Sequence, residues 1–256
     1  MRHQHVPVLE RVRGLFGEIL EEKRLRDAEV SVRVVPLTPE EAIGRPARPD
    51  FPIVLGKERV IEASVLGARG QAFTDSPAEF EGTLQEVLRF GLKTSQERAV
   101  FIASLNAALR HLGLVQGTVH CKDEDPERCA VEIADVLSRG FGEVPVGLIG
   151  LNPAIAQRLV ERFGVANVRI TDLDPDNVGG RRFGVEIWDG SRRTEELVDA
   201  SPVVVFPGTT LVNGTFDGIW ELIQTRARRY LVYGMTAAGV CQLMGIERVC
   251  PCGRDN

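Results

Sequence analysis

Apolar residues recur at helical spacing in three long segments of the chain. The first segment, residues 7–26, carries Val12, Phe16 and Ile19 among Glu and Arg, and this pattern predicts an amphipathic helix. The same rhythm predicts a second long helix over residues 95–112, which joins the two halves of the chain. A third helix is expected to begin at Asp125 and Pro126 and to end near Gly140.

The first part of the chain otherwise has strand-like patterns. Runs at residues 30–35, 53–55, 60–65 and 71–73 predict strands, and a proline-dense segment, residues 36–52, lies between the first two. Because strand-like runs flank this segment and no Gly/Ser-rich stretch follows, it is interpreted as a loop and not as a domain linker. We therefore expect a small α+β unit over residues 1–95.

The second part alternates strands with helices. The predicted strands cover residues 144–151, 168–173, 203–206 and 230–233, with an edge strand at 246–249. The intervening helices are expected at residues 153–163, 195–199, 214–227 and 237–244. Continuous apolar strands with intervening helices indicate a doubly wound parallel sheet, so residues 96–256 are interpreted as a Rossmann-like domain of α/β class.

Composition and charge narrow the class of protein. A chain of 256 residues with 43% hydrophobic residues can bury a full core, and no apolar run is long enough to span a bilayer. We expect a cytoplasmic protein without a membrane partner. The net charge of −5, with mixed signs, lacks the broad basic surface that nucleic acid requires, so nucleic acid is not expected as a partner.

Two of the loops that follow predicted strands carry candidate ligand-binding residues. Ligands of open α/β sheets bind beyond the carboxyl ends of the strands. Gly150 and Asn152 follow the first strand, where glycine permits close backbone approach and Asn152 can cap the next helix. Asp172 and Asp174 follow the second strand, at the distance where an acidic group commonly binds ribose hydroxyls. The glycine pattern is not a complete dinucleotide fingerprint, and an ordinary turn is the alternative for each loop.

The third loop, residues 208–215, follows a buried strand and precedes a predicted helix. Its Gly208, Thr209, Thr210 and Asn213 would suit an uncharged or anionic small ligand, and helix capping by Asn213 or Thr215 is the alternative. Thr236, after the next strand, repeats this pattern more weakly and is a further candidate.

Three segments carry a resemblance to a known family: residues 102–109 (Ile-Ala-Ser-Leu-Asn-Ala-Ala-Leu), 146–152 and 203–215. They resemble the family of "putative heavy-metal chelation" proteins, formerly a domain of unknown function. The resemblance implies an enolase amino-terminal-like domain over residues 1–95, a Rossmann-like domain over 96–256, and a cleft formed by both. It also makes Asn106 a candidate for that cleft, with a hydrogen-bonded core asparagine as the alternative.

Five cysteines, an odd number, fit reduced thiols, metal ligands or reactive groups better than a disulfide framework. His120, Cys121, Cys250 and Cys252 lie in predicted loops and together offer a tetrahedral set for zinc or another soft metal. Their spacing matches no standard zinc ribbon, so a ligand-lining thiol and inert thiols remain alternatives. The remaining cysteines and histidines are not expected to bind a ligand or metal. Cys129 and Cys241 are assigned to the core, His111 to the surface, and His3 and His5 to a frayed terminus.

The predicted function is that of a Rossmann-like protein that binds a small polar or heteroaromatic metabolite, linked to heavy-metal chelation, between the two domains. Whether it is an enzyme, with a transferase-like, condensing or hydrolytic activity, is left open by the sequence. The alternative is a protein that binds a metal ion or metal chelate through the loop Cys and His residues. Either a soft metal ion or a nucleoside-containing cofactor is compatible with these residues, and so is a homodimer.

Overall fold

The computed structural model of the chain describes residues 6–34, 44–46 and 48–255. The predictions made for His3, His5 and Val35, and for residues 36–43 and 47 of the proline-dense segment, lie outside these ranges.

The first part of the chain forms a four-stranded antiparallel sheet that packs against helices. Its strands are β1 (Glu29–Val34), β2 (Arg59–Val65), β3 (Ala68–Thr74) and β4 (Phe80–Thr83), in the order β3-β2-β1-β4. Helix α1 (Val8–Glu22) precedes the sheet, and the one-turn helix α2 (Leu84–Val87) follows it. Val12, Phe16 and Leu20 form the buried face of α1, as their spacing predicts.

Helix α3 (Ser95–His111) packs directly on this sheet and is buried along most of its length. Every residue from Ala99 to Leu109 is buried, because β2 and β3 cover one side of the helix and helices of the second sheet cover another. Gly70 of β3 allows the close approach, since a Cβ atom there would lie 2.2 Å from the Ala107 backbone nitrogen. The proposed division between residues 95 and 96 remains a prediction, and α3 is the element that contacts both sheets.

The second part forms a seven-stranded sheet in the order β11-β10-β9-β5-β6-β8-β7. All neighbouring strands are parallel except for the β7–β8 pair. The strands are β5 (Val146–Ile149), β6 (Val168–Asp172), β7 (Arg181–Arg182), β8 (Val185–Asp189), β9 (Val203–Pro207), β10 (Arg229–Tyr233) and β11 (Arg248–Val249). The chain moves outward from β5 to β8 and then returns to β9 on the other side of β5, which creates a topological switch point between β5 and β9.

Helices cover both faces of this sheet. They are α4 (Asp125–Phe141), α5 (Pro153–Phe163), α6 (Gly190–Ala200), α7 (Thr209–Asn213), α8 (Phe216–Thr225) and α9 (Ala238–Met244). Alternate residues of β9 belong to opposite cores: Val204 and Phe206 pack with α3 and the small sheet, whereas Val203 and Val205 pack with α4 and α5. This arrangement confirms the α/β class with a mostly parallel, doubly wound sheet.

Several local predictions were wrong. Residues 53–55 form hydrogen-bonded turns and not a strand, because Leu55 and Gly56 donate backwards to the carbonyls of Phe51 and Ile53. The 208–215 segment is not an open loop, since α7 occupies Thr209–Asn213 and Gly214 ends it in the left-handed conformation. Helix α6 is longer than expected. It begins at Gly190, where Asp189 caps it, and not at the predicted residue 195.

Candidate functional site

A cleft of about 1140 Å³ lies between the two sheets, beyond the carboxyl ends of β5, β6, β9 and β10. The large sheet contributes its strand-end loops, and the small sheet contributes the turn before β2 and the end of β3. The cleft lies at the β5/β9 switch point, where successive connections leave the sheet on opposite faces and separate from each other. The lining includes nine of the ten predicted ligand-binding residues and three of the four predicted metal-site residues: Gly150, Asn152, Asp172, Asp174, Gly208, Thr209, Thr210, Asn213, Thr236, His120, Cys121 and Cys250.

The first two loops hold each other in place. Gly150 has a φ of +79°, which favours glycine, and its amide donates to the Thr171 carbonyl at 2.8 Å. Asp172 accepts the Leu151 amide at 2.5 Å through Oδ2 and the Asp174 amide at 2.7 Å through Oδ1. Asn152 Oδ1 accepts the Ile155 amide at 3.1 Å and so caps α5, as expected. Both carboxylate oxygens of Asp172 therefore already hold backbone amides of the cleft wall.

Asp174 connects the two sheets across the mouth of the cleft. The Lys57 ammonium donates to Asp174 and, at 2.8 Å, to Asp176. The Lys57 ammonium lowers the pKa of Asp174, and in turn the hydrogen bond to Asp174 raises the pKa of Lys57. Lys57 is paired with both carboxylates, so Asp174 connects the two sides of the cleft rim through Lys57.

Most polar groups of the 208–215 segment serve the segment itself. Thr210 Oγ1 donates to the Pro207 carbonyl at 2.7 Å, and Asn213 Oδ1 accepts both the amide and the hydroxyl of Thr215. Asn213 is thus an internal turn residue and not the side-chain cap of α8. Thr209 differs, because it lines the cleft and its hydroxyl forms no hydrogen bond with the residues that the structure describes. Gly208 permits close packing, since a Cβ atom there would lie 2.6 Å from the Ala237 amide nitrogen.

Asn106 lies in the core and does not line the cleft. Its Nδ2 donates to the carbonyls of Gln71 and Thr236 at 3.0 and 3.2 Å, and its Oδ1 accepts the Gly239 amide at 2.7 Å. The Thr236 hydroxyl, which does line the cleft, accepts the Phe73 amide at 3.2 Å. These contacts join β3 to the segment after β10 and set the width of the cleft.

A group of acidic and phenolic side chains in the cleft was missed by sequence reasoning. Burial, and then the nearby Asp172 and Asp75 carboxylates, raise the pKa of Glu58 from 4.5 to about 7. Burial also raises the pKa of Tyr233, and the Glu58 and Asp172 charges add to this. Glu58 stands between Lys57 and Arg59, a charged run typical of an exposed turn, so the sequence carries no signal for its burial.

Part of the chain, including most of the second sheet, matches the model of a known family. Residues 133–244 match the DUF364 family, described as "putative heavy-metal chelation". The expected resemblance is confirmed, and all three strand-end loops fall within the matched DUF364 region. Glu58 and Asp75 lie outside it, directly before β2 and directly after β3 of the small sheet. No curated protein matches the chain.

Two solved DUF364 structures are similar to the chain. A protein of unknown function from Pyrococcus horikoshii is 14% identical, with 90% of this chain and 80% of that chain covered, at a TM-score of 0.54. Another of unknown function, from Desulfitobacterium hafniense DCB-2, is 14% identical, with 69% and 67% covered, at a TM-score of 0.47. The likeness to the Pyrococcus protein, which extends over both sheets, shows a shared fold.

The family description mentions heavy-metal chelation, and the predicted metal ligands are His120, Cys121, Cys250 and Cys252. His120 is packed edge-on against Phe73 with ring centroids 4.9 Å apart, and burial lowers its pKa to about 4. Burial raises the pKa of all three thiols, that of Cys121 to about 12. Cys252 does not line the cleft. Within the described ranges, no group of three or more His, Cys, Asp or Glu residues is arranged to hold a metal ion.

Four other expectations, on location, metal, cofactor and oligomeric state, stay predictions. Nothing in the described ranges is a helix of the length and hydropathy needed to cross a bilayer, and a cytoplasmic location stays a prediction. The same holds for a soft metal ion, a nucleoside-containing cofactor and a homodimer.

Proposed function

We propose that the chain binds a small polar metabolite in the cleft between its two sheets and supports proton transfer to or from it. The observation that carries this proposal is the convergence of three strand-end loops with residues of the small sheet around one cavity. Its volume, about 1140 Å³, is slightly above the usual range for small-molecule sites. The description of the DUF364 region supports a connection of that metabolite with heavy-metal chelation.

Glu58 supports the proton-transfer part of the proposal. A carboxyl group with a pKa of about 7 exists in both protonation states near neutral pH, which is the condition for efficient general acid–base catalysis. It also faces the same space as Thr209 and the buried Thr171. Perturbed carboxyl groups in a cleft are typical of functional sites.

The test is native mass spectrometry of the chain purified without an affinity tag, with elemental analysis of the same sample. We expect a retained small molecule in the unaltered chain and its loss in Thr209→Val, which removes an unpaired hydroxyl at nearly constant volume. Thr225→Val is the matched control, because Thr225 ends α8 outside the cleft and bonds only to its own helix. Metal without a retained molecule would contradict the proposal and favour the metal-binding alternative.

A further inference from the structure

We propose that the ligand of the cleft is an organic cation, a small molecule with a protonated amine, amidine or ring nitrogen that faces Glu58, Asp75 and Asp172. This inference rests on the proposed function and specifies the chemistry of its ligand. It also reverses the expectation from the strand-end loops, whose hydroxyl and amide groups suit an uncharged or anionic molecule.

The charges around the cleft are unbalanced. Its lining contains five carboxylic acids and, among the residues that the structure describes, a single lysine; the acids are Glu58, Asp75, Asp172, Asp174 and Asp176. Lys57 is bound to two of these acids at the rim. Glu58, Asp75 and Asp172 form no ion pair with any residue in the described part of the chain. A cation is therefore the ligand charge that this region stabilises.

A buried hydroxyl in the wall of the same cleft points independently to a ligand. Thr171 is fully buried and lines the cleft, and its Oγ1 has no hydrogen-bond partner among the described residues. An unpaired buried hydroxyl costs free energy, which a ligand donor or acceptor would recover. Thr171 and Asp172 are the last two residues of β6, so their side chains leave the strand on opposite faces, and both residues line the cleft.

The walls favour an organic cation over a bare metal ion. No three of the described His, Cys, Asp or Glu residues are placed to coordinate a metal. The lining instead includes the aromatic side chains Phe73 and Tyr233. Aromatic rings attract organic cations, and apolar walls contact the body of a planar molecule.

The charge of Glu58 makes binding depend on pH. The groups that face it are Asp75 on the small sheet and Asp172 and Tyr233 on the large one. Near pH 8 Glu58 is ionised and attracts a cation, whereas near pH 5.5 it is mostly protonated and neutral. Affinity for a cation is therefore expected to rise between these two pH values.

Three probes of one shape and different charge test the proposal: benzamidine as the cation, benzamide as the neutral form and benzoate as the anion. Binding is followed by NMR titration of the amide signals of residues 150–152 and 171–174 in the full chain. At pH 8 we expect benzamidine to bind at least about tenfold more tightly than the other two, a difference typical of one charge contact. We expect benzamidine to bind more weakly at pH 5.5.

Glu58→Gln should remove this pH dependence and most of the preference for benzamidine, and Asp75→Asn should reduce the preference without changing a buried group. Glu29→Gln is the control, because it removes the same charge from an exposed position of β1 outside the cleft. Equal or tighter binding of benzamide or benzoate would overturn the charge preference and leave cleft binding intact. Absence of binding by all three probes would also overturn the proposed preference for a cation. The proposed function is tested separately, by the molecule retained in native mass spectrometry.

Discussion

Glu58 shows how one side chain can take its properties from two sheets. It directly precedes β2 of the small sheet, but the Asp172 carboxylate that helps to raise its pKa belongs to the large sheet. The charged form is disfavoured by lost hydration and by repulsion from like charges, so the protonated form is stabilised near neutral pH.

The first prediction concerns the pH dependence of stability. Because the folded-state pKa of Glu58 is raised, the folded chain holds a proton that the unfolded chain releases. The stability that this proton contributes to the fold is complete below pH 4.5 and is lost as the pH rises to about 7. Glu58→Gln, which mimics the protonated form, should therefore gain stability relative to the unaltered chain on going from pH 5 to pH 8. The gain should be about 2 kcal/mol. This is less than the free energy that corresponds to the whole pKa shift of Glu58, because Glu58 is only partly shielded from water. Urea unfolding of both chains at the two pH values measures it, and a constant difference would contradict the assignment.

Gly208 is predicted to be required for packing. A methyl group there would press on the backbone of Ala237, which cannot move without shifting the segment after β10. Gly208→Ala should therefore destabilise the chain by about 1–3 kcal/mol. Gly140→Ala is the control, because Gly140 is a helical residue with open space around it, and this change should stabilise by about 0.5 kcal/mol. Thermal unfolding would decide, and an unchanged melting temperature for Gly208→Ala would show that the segment can move.

At the scale of elements, α3 is the helix that holds the cleft open at a defined width. It is covered on opposite sides by the small sheet and by α7 and α9, and its central amide bonds to both β3 and the segment after β10. A buried side chain with all its donors and acceptors paired rigidifies the elements that it joins.

Replacement of that amide is the third prediction. Asn106→Leu leaves the Gly239 amide and the Gln71 carbonyl without this partner, and we expect a loss of about 3 kcal/mol. Ser104→Ala on the same helix is the matched control, because the Ser104 hydroxyl is buried without a partner among the described residues and its removal should cost nothing. Chemical denaturation measures both variants. Equal effects would show that the Asn106 contacts are not what joins the sheets.

At the scale of the whole molecule, the two sheets share one core. The larger of the two apolar clusters includes residues of α1, the small sheet and α3 together with Val204, Phe206 and Val232 of the large sheet. A cluster that continues across both sheets favours cooperative unfolding, since neither part can lose its packing alone.

The fourth prediction follows from this shared core. A fragment of residues 1–95 lacks α3 and exposes the apolar face of β2 and β3, including Ile61, Ala63 and Ala72. We expect the fragment to have no stable tertiary structure, as measured by the dispersion of its amide NMR signals. The full chain is the reference, and a well-dispersed spectrum from the fragment would show that the small sheet folds independently.

The sequence by itself determined the order of the main elements and the class of the fold. Apolar periodicity is local, so it predicted α1, α3 and the parallel strands other than β8 within a few residues. It failed where the signal is short or depends on contacts: β4, β7 and β8 were not predicted, and residues 53–55 were assigned to a strand although they form turns. The strand-end rule placed Gly150, Asp172 and Thr209 at one cleft for the same local reason.

Only the tertiary structure decided which of these polar groups remain available to a ligand. Thr210 and Asn213 form their side-chain hydrogen bonds within the cleft wall, whereas the Thr209 hydroxyl does not. Asp172 accepts two backbone amides, but its charge has no ion-pair partner among the described residues and can still attract a cation. The acidic character of the cleft could not be predicted from the sequence either. Glu58 and Asp172 are 114 positions apart in the chain and are brought together by the packing of two sheets. Burial and charge are properties of the surroundings of a residue, and for this cleft those surroundings exist only in the folded chain.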